Sequence, residues 1–296
     1  MIRPRTIRDL TVDAPRGAHG GRFISAASGL VLTGDFLYVI ADDERELGVF
    51  DAEGDAPGRL ARFLPGELPA DPAARKRHKP DVEALALLPG MLLALESGSR
   101  AQRRGGVLWD LDRRGGLSGD PRRLDLAPLY EFLEGEIPDL NVEGATVVGE
   151  RLLLFQRGNG RGAVNAVIDL ALPAVLEASA RGRLGADSVT GMRRYELGEV
   201  DGVRLCFSDA TSLPDGSVLF TAVAEGGEDT YHDGECVGAG IGVLDPDGEI
   251  ARWEPLDPPV KVEGIEAHPD GDELRILLVG DPDDAQKPSP LLAVRL

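Results

Sequence analysis

Five short segments of the sequence pair a polar side chain with a small residue: Ser28-Gly29, Glu83-Ala84, Glu143-Gly144, Asp209-Ala210 and Glu263-Gly264. They recur at intervals of 55, 60, 66 and 54 residues, and counting on from Glu263 past the end of the 296-residue chain to Ser28 gives 61. An interval that also holds across the termini is the mark of repeats arranged in a closed ring. Equivalent positions in such a ring converge on its axis, so Ser28, Glu83, Glu143, Asp209 and Glu263 are expected to face one channel. Four carboxylates in a narrow channel must be protonated, spread apart, paired with bases or neutralised by a cation. A ring of hard oxygen ligands suits calcium, which accepts 6–8 oxygens in tolerant geometry; magnesium, with its tighter octahedron, fits less well. No histidine falls among the five positions, which argues against zinc or iron. The alternative is a metal-free ion-pair ring. Lys261 lies two residues before Glu263 and Lys79 four before Glu83. Residues two apart on a strand share a face, so Lys261 could neutralise the ring directly.

Polar segments follow the second apolar run in four of the repeats, at residues 96–104 (ESGSRAQRR), 156–161 (QRGNGR), 225–235 (EGGEDTYHDGE) and 281–287 (DPDDAQK). Loops at one end of a ring of repeats cluster and commonly carry function. In an acidic chain, Lys79, Arg100, Arg103, Arg157 and Lys261 stand out as a basic set beside the channel. Basic side chains next to calcium make a site for a small phosphate-bearing anion. The chemistry expected is metal-assisted hydrolysis of a phosphate ester or anhydride, with Glu96 or Asp43 as base. The competing reading is a non-enzymatic binding scaffold in which calcium, or the ion-pair ring, is structural. Other motifs are weak. Ser97-Gly98-Ser99 is no nucleophile elbow, the EF-hand pattern is absent, and His19, His78, His232 and His268 read as loop residues.

These residues need a scaffold of short strands. Helical periodicity is scarce, the best stretch being residues 170–180, where Pro173 restricts it to a short piece. Elsewhere apolar runs are broken by turn residues: Thr33-Gly34-Asp35, Pro89-Gly90, Gly149-Glu150, Pro214-Asp215-Gly216 and Pro269-Asp270-Gly271. Each is a hairpin signal. Third-strand material follows at residues 48–51, 106–110, 163–169 and 240–245. The expected fold is all-β: a five-bladed β-propeller of four-stranded antiparallel blades, one domain over residues 1–296. Residues 6–12 (TIRDLTV) and 291–296 (LLAVRL) would share the blade that closes the ring. Trp109 and Trp253 read as core.

Lys and Arg total 32 against 51 Asp and Glu, a net charge of −19. Such a surface repels nucleic acid and anionic membrane and attracts cations. The two cysteines, Cys206 and Cys236, have no zinc or redox spacing and read as buried free thiols. The first ten residues (MIRPRTIRDL) lack the apolar core of a signal peptide. The expectation is a cytoplasmic monomer or weak oligomer.

The pattern resembles the calcium-activated nucleotidases, or soluble apyrases. The segments that carry the resemblance are SAASGL at 25–30, DVEAL at 81–85, NVEGAT at 141–146, FSDATSLP at 207–214 and VKVEGIE at 260–266, with VIADDERELG at 39–48. The resemblance implies a five-bladed propeller with calcium in the central tunnel near Ser28, Glu83, Glu143, Asp209 and Glu263. At the fourth position that family carries Ser, and here Ser208 precedes Asp209, so either residue is a candidate ligand. The VEG and VEA stretches are also similar to uncharacterised bacterial phytase-like and esterase-like propeller proteins, the nearer group.

Overall fold

The computed structural model describes residues 1–16, 20–69, 71–160, 162, 164–226, 234–270 and 273–295. The predicted hairpins form, and each gains two more strands. Blade 1 holds Ala27–Thr33, Phe36–Ala41, Glu46–Asp51 and Arg59–Arg62; blade 2 holds Val82–Leu88, Met91–Glu96, Gly105–Leu111 and Leu117–Asp125. Blade 3 holds Val142–Val148, Arg151–Gln156, Asn165–Ala171 and Val189–Tyr195. Blade 4 holds Cys206–Ser212, Val218–Glu225, Cys236–Leu244 and Ile250–Pro255. Blade 5 takes Val262–Asp270, Glu273–Gly280 and Pro290–Arg295 from the end of the chain and Arg5–Asp9 from its beginning. Every blade is an antiparallel sheet in sequence order, and in blade 5 Arg5 pairs with Ala293. The fold is a five-bladed β-propeller closed by strands from both termini.

The first strands neighbour one another in a closed circuit around the axis. Their second strands are apolar on both faces because each blade is covered on both sides; Phe36–Ala41 is buried along nearly its whole length. Five apolar cores follow, each spanning two adjacent blades. Trp109 meets Phe63 edge-on at 5.7 Å, whereas half-buried Trp253 stacks on Phe220. Burying apolar area between blades supplies the main cohesion of the ring.

Among the described residues, three α-helices sit in the connections: Pro72–His78, Ala127–Glu136 and Leu172–Arg181. The last answers the predicted stretch. Pro173 starts this helix in its first turn, where its missing N–H costs nothing, and Gly182 ends it in the left-handed conformation at φ 77°. Among the described residues no helix is long and apolar enough to cross a membrane. Cys206 is buried and Cys236 half-buried, and both are free thiols.

Candidate functional site

In each first strand the pairing register slips at the same place. The slips fall between Ala27 and Gly29, Val82 and Ala84, Val142 and Gly144, Phe207 and Asp209, and Val262 and Gly264. The residue stepped over is Ser28, Glu83, Glu143, Ser208 and Glu263 in turn. A bulge of this kind re-aims the side chain it carries. The fourth member of the repeated position is therefore Ser208, and the expectation of Asp209 there is off by one. Asp209 occupies the place held by Gly29, Ala84, Gly144 and Gly264 in the other blades. Its Oδ2 accepts the Ile265 N–H of the next blade at 2.9 Å, and its Cα lies 2.8 Å from where a β-carbon on Gly144 would stand. Asp209 joins blades; Ser208 donates to Thr221 Oγ1 at 2.9 Å, and neither is among the residues that line the funnel described next.

This yields a pH-dependent prediction. Burial raises the Asp209 carboxyl well above its ordinary range, so the folded state holds its proton more tightly than the unfolded state. Stability from this group is then lost as pH rises above the unfolded carboxylate pKa of about 4. Asp209→Asn, which keeps the acceptor, gains on the wild type between about pH 5 and about pH 8 in urea unfolding. Asp209→Leu strands the Ile265 N–H and should be about 1–3 kcal/mol less stable than Asp209→Asn at either pH.

Ser28, Glu83, Glu143 and Glu263 converge on a funnel of about 180 Å³ at one end of the channel. Two further sets of equivalent positions complete its wall. Two residues before the bulge stand Asp81, Asn141 and Lys261; just past the second strands stand Asp42, Arg157 and Asp281. Lys79, Arg100 and Arg103 also line it, so the basic set expected beside the channel is assembled there. Helix Pro72–His78, capped by Asp71 accepting the Ala74 N–H at 2.8 Å, carries Lys76 to the rim and delivers Lys79.

The two expected bases are elsewhere. Glu96 closes the second strand of blade 2 and does not line the funnel. Its carboxylate accepts the Gly105 N–H at 2.7 Å and pairs with Arg123 at 2.9 Å. Asp43 lies one residue past Asp42 and pairs with Arg75 at 3.5 Å. Side chains alternate along a strand, so a shift of one residue turns a group from the funnel into the blade. His78 ends its helix, His268 lies on the first strand of blade 5, and neither lines the funnel; His19 and His232 lie outside the described residues.

Two charge networks divide the funnel. In the first, Lys79 bridges Asp42 and Asp81, with 3.0 Å to Asp81. Asp81 also receives Ser97 Oγ at 2.5 Å and Arg103 Nη1 at 2.7 Å. Its backbone adopts φ 57°, a conformation rare outside glycine. Burial would raise the Asp81 carboxyl, but Lys79, Arg103 and Ser97 hold it below its ordinary value. In the second network Arg157 pairs with Glu225, with Glu143 at 3.4 Å and with Glu263 at 3.7 Å. Lys261 adds contacts to Glu225 at 3.1 Å and Asp283 at 2.7 Å. Burial still pushes the Glu143 and Glu263 carboxyls upward despite these cations. Asp281 is pushed up to about 7 by burial, against the pull of Lys261.

Glu83 stands between the networks. It makes no hydrogen bond or ion pair with any described residue, and burial, followed by Glu143, Asp42 and Asp81, pushes its carboxyl well above the usual range. Oxygens of Asp42, Asp81 and Glu83 lie within 4.8 Å of one another, a spacing a cation with oxygen ligands at 2.3–2.6 Å can span. Carboxylates with Ser28 nearby form a hard donor set, so these residues fit calcium. Asp42 and Asp81 were not foreseen as members of the cluster. For Asp81 the signal was the two-residue spacing that also relates Lys261 to Glu263, and Asp42 lay in the acidic segment at 39–48.

The fold and funnel define a five-bladed propeller with a polar, densely charged mouth. The chain belongs to a family of unknown function, DUF6929, which matches residues 23–296. Among solved structures it is similar to the glutaminyl cyclase of Myxococcus xanthus, with 13% identity over 99% of this chain and 96% of that one and a TM-score of 0.53. It is also similar to MPT-4, a mannose phosphorylase from Leishmania mexicana solved with a phosphate ion, with 14% identity over 98% and 88% of the two chains and a TM-score of 0.48. These likenesses are of fold. A search of curated proteins finds no match.

Proposed function

We propose that the funnel is a calcium site at which a small phosphate-bearing ester or anhydride is received and hydrolysed. The observation that carries this reading is Glu83: a half-buried carboxyl without a hydrogen-bond or ion-pair partner among the described residues, beside Asp42 and Asp81. Lining the funnel are seven acidic and six basic side chains, and Glu225 and Asp283 add negative charge through Lys261. The excess is negative, so an anion enters more readily on a cation than on bases already paired with carboxylates. Asp42, Asp81 and Glu83 would hold the ion, with Ser28 adjoining. Bound calcium would supply Lewis-acid polarisation of a phosphoryl oxygen. Arg157 fixes Glu143 and Glu263, and Arg103 fixes Asp81. Asp281, whose carboxyl changes protonation near neutrality, is suited to take a proton from water in place of Glu96 or Asp43.

The second reading is a metal-free binding scaffold, favoured by the bridge that Lys79 makes between Asp42 and Asp81. Calorimetric titration with calcium separates the two. The calcium reading expects saturable binding with proton release, because occupancy forces Glu83 to ionise. Glu83→Gln should weaken it on the order of tenfold to a hundredfold. A panel of phosphate esters and anhydrides should turn over with calcium and stop with chelator. No heat of binding and no calcium-linked rise in melting temperature would leave the scaffold.

A further inference from the structure

The Lys79 ammonium already occupies the place expected for a cation. It pairs with Asp42 Oδ2 and lies 3.0 Å from Asp81 Oδ1, where oxygens of Asp42, Asp81 and Glu83 cluster within 4.8 Å. The two oxygens of Asp81 have different tasks. Oδ2 accepts from Ser97 Oγ at 2.5 Å, Ser99 Oγ at 3.1 Å and Arg103 Nη1 at 2.7 Å, which ties it into blade 2. Oδ1 faces Lys79. Departure of the ammonium would leave Asp81 anchored and open one oxygen on each of Asp42 and Asp81 beside Glu83. Lys79 is also held less than Lys261. Among the described residues it pairs with two carboxylates and its side chain is 17% exposed, whereas Lys261 pairs with four and is 8% exposed. A lysine is a point charge on a flexible stem, and it leaves a pair without unmaking a planar fork of the kind Arg103 and Arg157 present. Its backbone is fixed independently: the Lys79 N–H donates to the Arg75 carbonyl at 2.8 Å, and Arg75 Nη2 donates to the Asp43 carbonyl at 2.9 Å.

We propose that Lys79 is the resident cation of the calcium seat: it yields its place among Asp42, Asp81 and Glu83 to calcium, and its released ammonium turns into the funnel to hold the phosphate. The inference rests on the calcium reading and adds an exchange to it. Charge favours the release. Calcium and Arg103 together balance the three carboxylates, which leaves the Lys79 charge in surplus and available to an anion. Calcium and phosphate are then coupled through one side chain. Reductive methylation of the wild type, read by mass spectrometry, should label Lys79 about tenfold more with calcium than with chelator, while exposed Lys287 is labelled equally in both. In calorimetric titration Lys79→Gln should bind calcium about tenfold more tightly than the wild type. Once saturated with calcium, the same variant should bind methyl phosphate about tenfold more weakly. Calcium bound to a wild type whose Lys79 stays protected, or bound no more tightly by Lys79→Gln, overturns the exchange and leaves the calcium reading standing. Methyl phosphate bound equally by both proteins removes Lys79 from the anion site. Calcium-linked labelling of Lys79 in a protein that hydrolyses no phosphate ester or anhydride keeps the exchange while the hydrolytic reading fails. No binding of calcium to the wild type overturns both. The labelling uses the wild type, so it decides the exchange even where Lys79→Gln fails to fold.

Discussion

Arg157→Ala should cost about 3–5 kcal/mol of unfolding free energy, because it removes one partner from a buried ionic cluster and leaves the others uncompensated. Its guanidinium pairs with Glu225 and faces Glu143 at 3.4 Å and Glu263 at 3.7 Å. Burial already raises Glu143 and Glu263 with Arg157 in place. Without it their folded-state pKa values rise further, the folded form holds protons more tightly, and the missing stability is recovered as pH falls. Urea unfolding should therefore show a larger deficit at about pH 8 than at about pH 5. Arg157→Lys retains the charge but not the forked geometry and should recover part of the loss. A deficit independent of pH would place the effect in packing instead of charge.

Gly34→Ala should cost about 2–5 kcal/mol, combining a left-handed backbone with overpacking. Gly34 has φ 57°, and a β-carbon there would stand 2.0 Å from the Arg114 carbonyl oxygen. The obstruction is backbone of the neighbouring blade, not a flexible side chain. The two hairpin ends interlock: the Asp35 N–H donates to the Arg114 carbonyl at 3.1 Å, and Arg114 Nε donates to Asp35 at 2.7 Å. Tyr38 donates its hydroxyl to the Gly115 carbonyl at 2.6 Å from within blade 1. Gly90, with φ 74° and open space around its β-carbon position, is the control. Gly90→Ala should lose only the backbone contribution, about 1–2 kcal/mol. Thermal unfolding of the two variants separates the conformational cost from the collision.

The repeat was legible in the sequence because turn chemistry and strand periodicity recur in every blade. The interval across the termini pointed to closure, and Arg5–Asp9 pairing with Pro290–Arg295 is that closure. Ser28, Glu83, Glu143 and Glu263 were legible as funnel residues because each precedes a small residue at a repeated spacing. What sequence reading lost was parity. Asp209 for Ser208 at the repeated position and Asp43 for Asp42 at the funnel are both misplacements by one residue. A bulge shifts side-chain direction without changing composition, so polar neighbours cannot be ranked until the register is known. Helices Pro72–His78 and Ala127–Glu136 were also missed. The first is only two turns long, and the second presents just Leu129, Tyr130 and Leu133 to the core. Asp42 reaches Asp81 and Glu83 only after blades 1 and 2 are brought together.

The shared fifth blade also sets a timetable. Arg5–Asp9 is made before blades 1 to 4, yet its partner strand Pro290–Arg295 is made after them. Throughout synthesis the early strand waits with its edge unpaired, and blades 1 to 4 assemble as an open arc. Lys261, Glu263 and Asp281 lie on the late side of that seam, so the funnel gains its final wall only when the arc shuts. A chain truncated before the fifth blade can then hold much of its sheet structure while lacking a finished mouth.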